Sequence, residues 1–185
     1  ASAAYQAGAV YGGLIFVGRS PRYVDINRAR EVISGAPLKY VGVFCDAQVE
    51  TLVKTVERLG LKAVQLHGSE DQAYISALRA ELPAECQIWK ALSVKDHLPQ
   101  RDLQHVDRYL LDNGAGGTGQ RFDWSVLHGE NLENVMLAGG LGADNCVDAA
   151  KLGCAGLDFN SGVESQPGIK DPARLAAVFQ TLRAY

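Results

Sequence analysis

The chain has 185 residues, 47% hydrophobic and 21% charged, with a formal net charge of -3, which is material for one sizeable buried core. That mild acidity, without any dense Lys/Arg cluster, excludes the basic footprint that nucleic-acid binding requires. No apolar stretch approaches the roughly 18 to 20 residues of a membrane span, and Ala1 to Val10 has no basic region ahead of an apolar one, so the chain reads as cytoplasmic with small molecules as its ligands.

In chain order, the alanine-rich Ala1 to Ala7 predicts a helix ending at Gly8, as helices end at glycine. Strand Tyr11–Val17, helix Ile26–Ser34, strand Tyr40–Phe44, helix Val49–Leu59 and strand Ala63–Leu66 follow. The next helix, Asp71–Ala80, opens at Ser69 with Glu70 and Asp71 suited to the positive end of its dipole. After strand Ile88–Leu92, Ser93–Gln104 predicts a short, irregular helix, since it contains Pro99 and a poor apolar stripe. Strand Tyr109–Leu111, a short helix at Trp124–Leu127, strand Val135–Ala138 and helix Asn145–Leu152, ended by Gly153, come next. Strand Gly156–Phe159 and helix Pro172–Leu182, with proline in its first turn after Asp171, complete the chain.

These seven strands are apolar on both faces, as strands of a parallel sheet must be. They alternate with eight helical segments, the first of which precedes any strand. Regular βα spacing without a compositional break predicts an α/β fold, a (β/α)8 TIM barrel forming a single domain over residues 1–185 with its first β-strand absent. A doubly wound open sheet is the structural alternative.

In such a barrel the chemistry lies at the carboxyl ends of the strands, with phosphate in the loops after the last two. Here those loops carry Gly139 and Gly140, and Ser161 and Gly162, small residues whose backbone N–H groups suit a phosphorylated substrate or else simply form tight turns. Asp112 ends an apolar strand beside the loop Gly114–Gly119. Pointing the same way as Leu110, it is placed where partial burial holds a proton on it, which suits a general acid. Arg22, after the first strand, suits a carboxylate, while His67 at the end of the third reads as a hydrogen-bonded structural residue. Gly114 to Gly119 also satisfies the G-x-G-x-x-G pattern of nicotinamide-dependent oxidoreductases, but it comes late in the chain and opens no long helix. Cys45, Cys86, Cys146 and Cys154 show no C-x-x-C spacing and the four histidines are scattered, so neither a disulfide nor a metal is expected.

Several segments in order, GGLIFV and SPRYV (12–24), YVGVF (40–44), VQLHG (64–68), IWKAL (88–92), LLDNGAGGTGQRFDW (110–124), LAGGL (137–141) and LDFNSGVESQPGIKD (157–171), resemble phosphoribosylanthranilate isomerase. The resemblance is to the form fused behind indole-glycerol-phosphate synthase, and it spans the chain. It implies a cofactor-free Amadori rearrangement in tryptophan biosynthesis, with Asp112 as general acid and Arg22 on the anthranilate carboxylate. By the same resemblance, Gly139, Gly140, Ser161 and Gly162 meet the phosphate and Asp158 lies near the ligand. It also implies a fused synthase domain upstream. The family's general base, a cysteine in a K-x-C-G-[IL]-T segment of the first strand, has no match here, and Cys45, two strands away, is a poor substitute. A piece that binds phosphate ligands without catalysis is therefore the alternative.

Overall fold

The computed structural model describes residues 1–113 and 121–185. The expected loop Gly114–Gly119 lies outside them. The fold is α/β and divides into two compact units, Ala1–Lys90 with Asp102–Asp107 and Ala91–Arg101 with Arg108–Tyr185.

In the first unit, β1 (Tyr11–Ile15), β2 (Lys39–Phe44), β3 (Ala63–Leu66) and residues Gln87–Lys90 of β4 (Gln87–Ser93) pair in parallel, each with the next in sequence. All four residues of β3 are buried, the condition that favours apolar β-branched and aliphatic strands. Helix α1 (Ser2–Ala7) ends as expected at Gly8, whose φ of 106° only glycine adopts without strain, with its N–H on the Ala4 and Tyr5 carbonyls. Helix α2 (Ile26–Ser34) is capped by the Asp25 carboxylate, which accepts from the Arg28 N–H. Helices α3 (Val49–Leu59) and α4 (Gln72–Glu81) place Leu52, Val56, Ile75 and Leu78 against Val64 and Leu66 in one core. Each such side chain contributes about 1.5–3 kcal/mol by leaving water. Tyr11 meets Trp89 edge-on, their ring centroids 5.1 Å apart.

In the second unit, β5 (Arg108–Asp112), β6 (Val135–Leu137) and β7 (Gly156–Leu157) are again parallel and sequential. Leu111, Leu127, Val135, Leu137, Leu141 and Ala149 form its core. Helix α5 (Cys146–Lys151) follows β6, and α6 (Pro172–Ala184) starts at a proline behind Asp171, whose carboxylate accepts from the Ala173 and Arg174 N–H groups. In neither unit does the strand order reverse, the feature a doubly wound sheet requires.

Seven of the eight expected helical segments have a counterpart: six are α-helices, and Trp124–Leu127 is a 3-10 turn. The helix expected at Ser93–Gln104 does not form. Strand β4 runs on through Ser93, Pro99 removes a donor and disfavours helical backbone at Leu98, and His105 takes a positive φ of 65°. The polar groups of this segment find other partners. Within the first unit, Asp107 exchanges bonds with Ile88 and Gln104 bonds Gln72; within the second, Val94 N–H reaches the Asp112 carbonyl. A second difference is a 3-10 turn at Ser161–Val163 leading into an antiparallel hairpin, β8 (Glu164–Gln166) and β9 (Ile169–Lys170), which the sequence pattern did not mark.

Candidate functional site

In the second unit, three strand ends carry the residues singled out from sequence. Asp112 is the last residue of β5, and one of its carboxylate oxygens accepts from the Asn113 N–H at 2.7 Å. Burial pushes its carboxyl above the ordinary aspartate range, against that hydrogen bond. Asp158 directly follows β7, its N–H on the Leu137 carbonyl at 2.8 Å. Burial likewise raises its carboxyl, the Lys170 cation opposing and the Asp112 charge adding to the shift. The charge of Asp112 is thus felt at Asp158.

The loop after β6 turns at Gly139 and Gly140, with φ of 89° and 62°, a conformation that excludes most other residues. The loop after β7 contains Ser161 and Gly162. A methyl group at Gly162 would land on the Leu141 carbonyl oxygen, so these two glycine loops meet backbone to backbone. The structure therefore assembles Asp112, Gly139, Gly140, Asp158, Ser161 and Gly162 within one unit.

Arg22 belongs to the first unit, in the turn after β1, its N–H donating to the Ser20 hydroxyl at 3.1 Å. The other strand ends of that unit hold a different arrangement. Lys90 of β4 donates to Glu70 at 2.7 Å, both side chains almost wholly buried, and to the Gly68 carbonyl at 2.7 Å. Glu70 accepts from the Asp46 and Gly68 N–H groups, and Asp46 from the N–H and hydroxyl of Ser69. This explains why α4 does not open at Ser69: Ser69 and Glu70 are engaged in tertiary bonds, and the cap falls to Asp71, which accepts from the Tyr74 N–H at 2.9 Å. His67 hydrogen-bonds Gln65 at 2.6 Å, and burial, then the Lys90 charge, lowers its pKa to about 4. Its neutral ring is the structural histidine expected. Cys45 lies beside Arg19 and Asp46, and burial followed by the Asp46 charge raises its pKa, so the thiol keeps its proton.

Three residues that sequence reasoning passed over border the glycine loops. Asn145, at the start of α5, bonds both Gly140 and Gly142, while Lys170 and buried Glu164 bracket Asn160 and the hairpin. Asn145 could have been noticed as a helix cap; a lysine ten residues beyond its target leaves no periodic signal. All four cysteines are free, and among the described residues no group of three His, Cys, Asp or Glu side chains is arranged to hold a metal. No described helix is long and apolar enough to cross a membrane.

The family model described as N-(5'phosphoribosyl)anthranilate (PRA) isomerase matches residues 1–181. The tryptophan biosynthesis protein TrpCF of Yersinia pestis is 71% identical across the whole chain, which covers 39% of that relative's length. The corresponding protein of Salmonella typhi is 68% identical, with 41% of its length covered. The chain therefore spans about two fifths of these curated relatives. Among solved structures, phosphoribosyl anthranilate isomerase from Thermus thermophilus superposes with a TM-score of 0.85 at 29% identity, covering 98% of this chain and 92% of that one.

Proposed function

The chain belongs to the N-(5'phosphoribosyl)anthranilate (PRA) isomerase family, and on that premise we propose that it carries the acid half of an Amadori rearrangement in tryptophan biosynthesis. The substrate is N-(5-phosphoribosyl)anthranilate and the product 1-(2-carboxyphenylamino)-1-deoxyribulose 5-phosphate. The observation that carries the reading is Asp112, a carboxyl at the end of β5 that burial keeps inclined to hold its proton.

Asp112 gives that proton to the furanose ring oxygen as the C1–O bond breaks and the anthranilate nitrogen lone pair forms the C1=N bond of a protonated Schiff base. A base then removes the proton from C2, the electron pair moves to form the C1=C2 enolamine, and tautomerisation gives the C2 ketone. Nothing is oxidised or reduced overall, and no cofactor is needed. Arg22 binds the anthranilate carboxylate with two parallel N–H donors. Gly139, Gly140, Ser161 and Gly162 hold the phosphate, and Asp158 faces the sugar. We assign the base to a cysteine on a further strand in sequence outside this chain, which makes the seven parallel strands part of a (β/α)8 barrel. The greater length of the curated relatives supports a fused indole-glycerol-phosphate synthase domain as the partner.

Conversion of phosphoribosylanthranilate by the full-length protein tests the reaction, and Asp112→Asn tests the acid. Loss of turnover in that variant with the substrate KM held is the expected result; unchanged turnover overturns the assignment.

A further inference from the structure

Two loops can bind an anion only if their N–H groups converge on it and their carbonyl oxygens do not. The loop after β6, with Gly139, Gly140 and Gly142, has little bulk of its own to enforce this, and the loop after β7 meets it through the single Gly162. Each is instead gripped by one polar side chain. Asn145 occupies the N-cap position of α5 but makes no capping bond to its own helix, the use to which such a residue is ordinarily put. Its side chain turns back on the loop: Oδ1 accepts from the Gly142 N–H at 3.0 Å and Nδ2 donates to the Gly140 carbonyl at 2.9 Å, with only 5% of the residue exposed. An aspartate there could make the first bond and not the second.

Lys170 does the corresponding work on the other side. Its ammonium donates to the Asn160 carbonyl at 3.1 Å, to the Asn160 side-chain oxygen at 2.7 Å and to Glu164 at 2.9 Å. Glu164 is itself fixed: its side chain is 4% exposed, it accepts from the Gly168 N–H, and its carbonyl accepts from Arg174. Between the two grips, Gly162 rests on the Leu141 carbonyl, so a shift of either loop is felt by the other. The carbonyl oxygens of Gly140 and Asn160, which would repel an anion, are both taken up by donors.

We propose that Asn145 and Lys170 are positioning residues that hold the two glycine loops as a preformed cradle for the substrate phosphate. This rests on the phosphate assignment made above. Neither residue is a catalytic residue: they spare the loops the ordering that would otherwise accompany binding.

The test measures isomerase turnover in the full-length protein and its competitive inhibition by two probes, inorganic phosphate and anthranilate. Lys170→Met, which loses three hydrogen bonds, and Asn145→Ala, which loses two, each raise the inhibition constant for inorganic phosphate and the KM about tenfold, the part of that loss that falls on binding. In both, the constant for anthranilate stays within about twofold, in Asn145→Ala kcat does as well, and Lys170→Arg, which keeps charge and donors, recovers most of the loss. If phosphate inhibits the wild type and the variants equally, or if both probes weaken together, the cradle assignment is overturned while the isomerase reading stands. If the wild type turns over but phosphate does not compete, the phosphate assignment falls and takes this one with it. Should Asn145→Ala fail to fold, Lys170→Met with its arginine rescue decides the question.

Discussion

The ends of β2, β3 and β4 in the first unit are chemically closed, and the strand ends of the second unit are left open. In the first group Lys90 sits on Glu70 and the Gly68 carbonyl, Glu70 takes two backbone N–H groups, and Asp46 takes the N–H and hydroxyl of Ser69. Those bonds hold the Asp46 carboxyl below its ordinary range. In the second, burial is not compensated to the same degree, and the carboxyls of Asp112 and Asp158 are pushed the other way. One fold position thus yields two products. A saturated network fixes loops, whereas a desolvated carboxyl retains a proton to give away.

The largest expected effect breaks the open side. Asp112→Asn lowers kcat by about 10²- to 10⁴-fold, the usual worth of a positioned proton donor, measured as steady-state turnover. The same change leaves stability unchanged or raises it by about 0.5–1 kcal/mol in urea unfolding at pH 7. A carboxyl whose folded pKa stands above its unfolded one binds more protons folded than unfolded, so its ionisation costs stability as pH rises past the unfolded value. On the closed side the pattern reverses. Glu70→Ala strands the buried Lys90 ammonium and costs about 3–5 kcal/mol of unfolding free energy, while Glu70→Leu with Lys90→Met regains most of it. A Glu70→Ala protein of wild-type stability would remove the contrast.

A smaller effect tests Arg22: replacement by Lys keeps the charge and loses the fork, raising KM about tenfold with kcat held. The last concerns His67 and appears only in acid. Its pKa is lowered to about 4, below its unfolded value near 6.5, so the unfolded chain binds more protons between those limits. Stability is held above about pH 6.5 and lost as pH falls through that window toward 4. Urea midpoints measured across it fall less steeply in His67→Gln.

Strand periodicity and glycine placement made the seven parallel strands legible, and Gly8 and Asp171 marked helix boundaries where local rules suffice. Legibility ended where tertiary contacts outbid local ones. Ser69 and Glu70 have the form of a helix start, yet a lysine twenty residues on and an aspartate in another loop claim them. The βα alternation asked for a helix at Ser93–Gln104 despite its poor apolar stripe, and with Pro99 in it none forms. Asp112 and the four loop residues were marked by their place after apolar strands, whereas Asp158, placed inside a strand by the sequence pattern, was named only through the family resemblance. Asn145 and Lys170 were not, because a hydrogen bond from one loop's neighbour to another loop leaves no spacing in the chain.

The sequential strand order has a consequence for how the chain is made. In the first unit strands begin at residues 11, 39, 63 and 87, and each of the last three pairs with the one synthesised just before it. At about 5–20 residues per second on a ribosome, a new strand emerges every one to five seconds or so, slower by orders of magnitude than the roughly microsecond events that zip short elements together. The first unit's sheet can therefore lengthen by one edge at a time, in the order of translation, with no strand waiting for a distant partner.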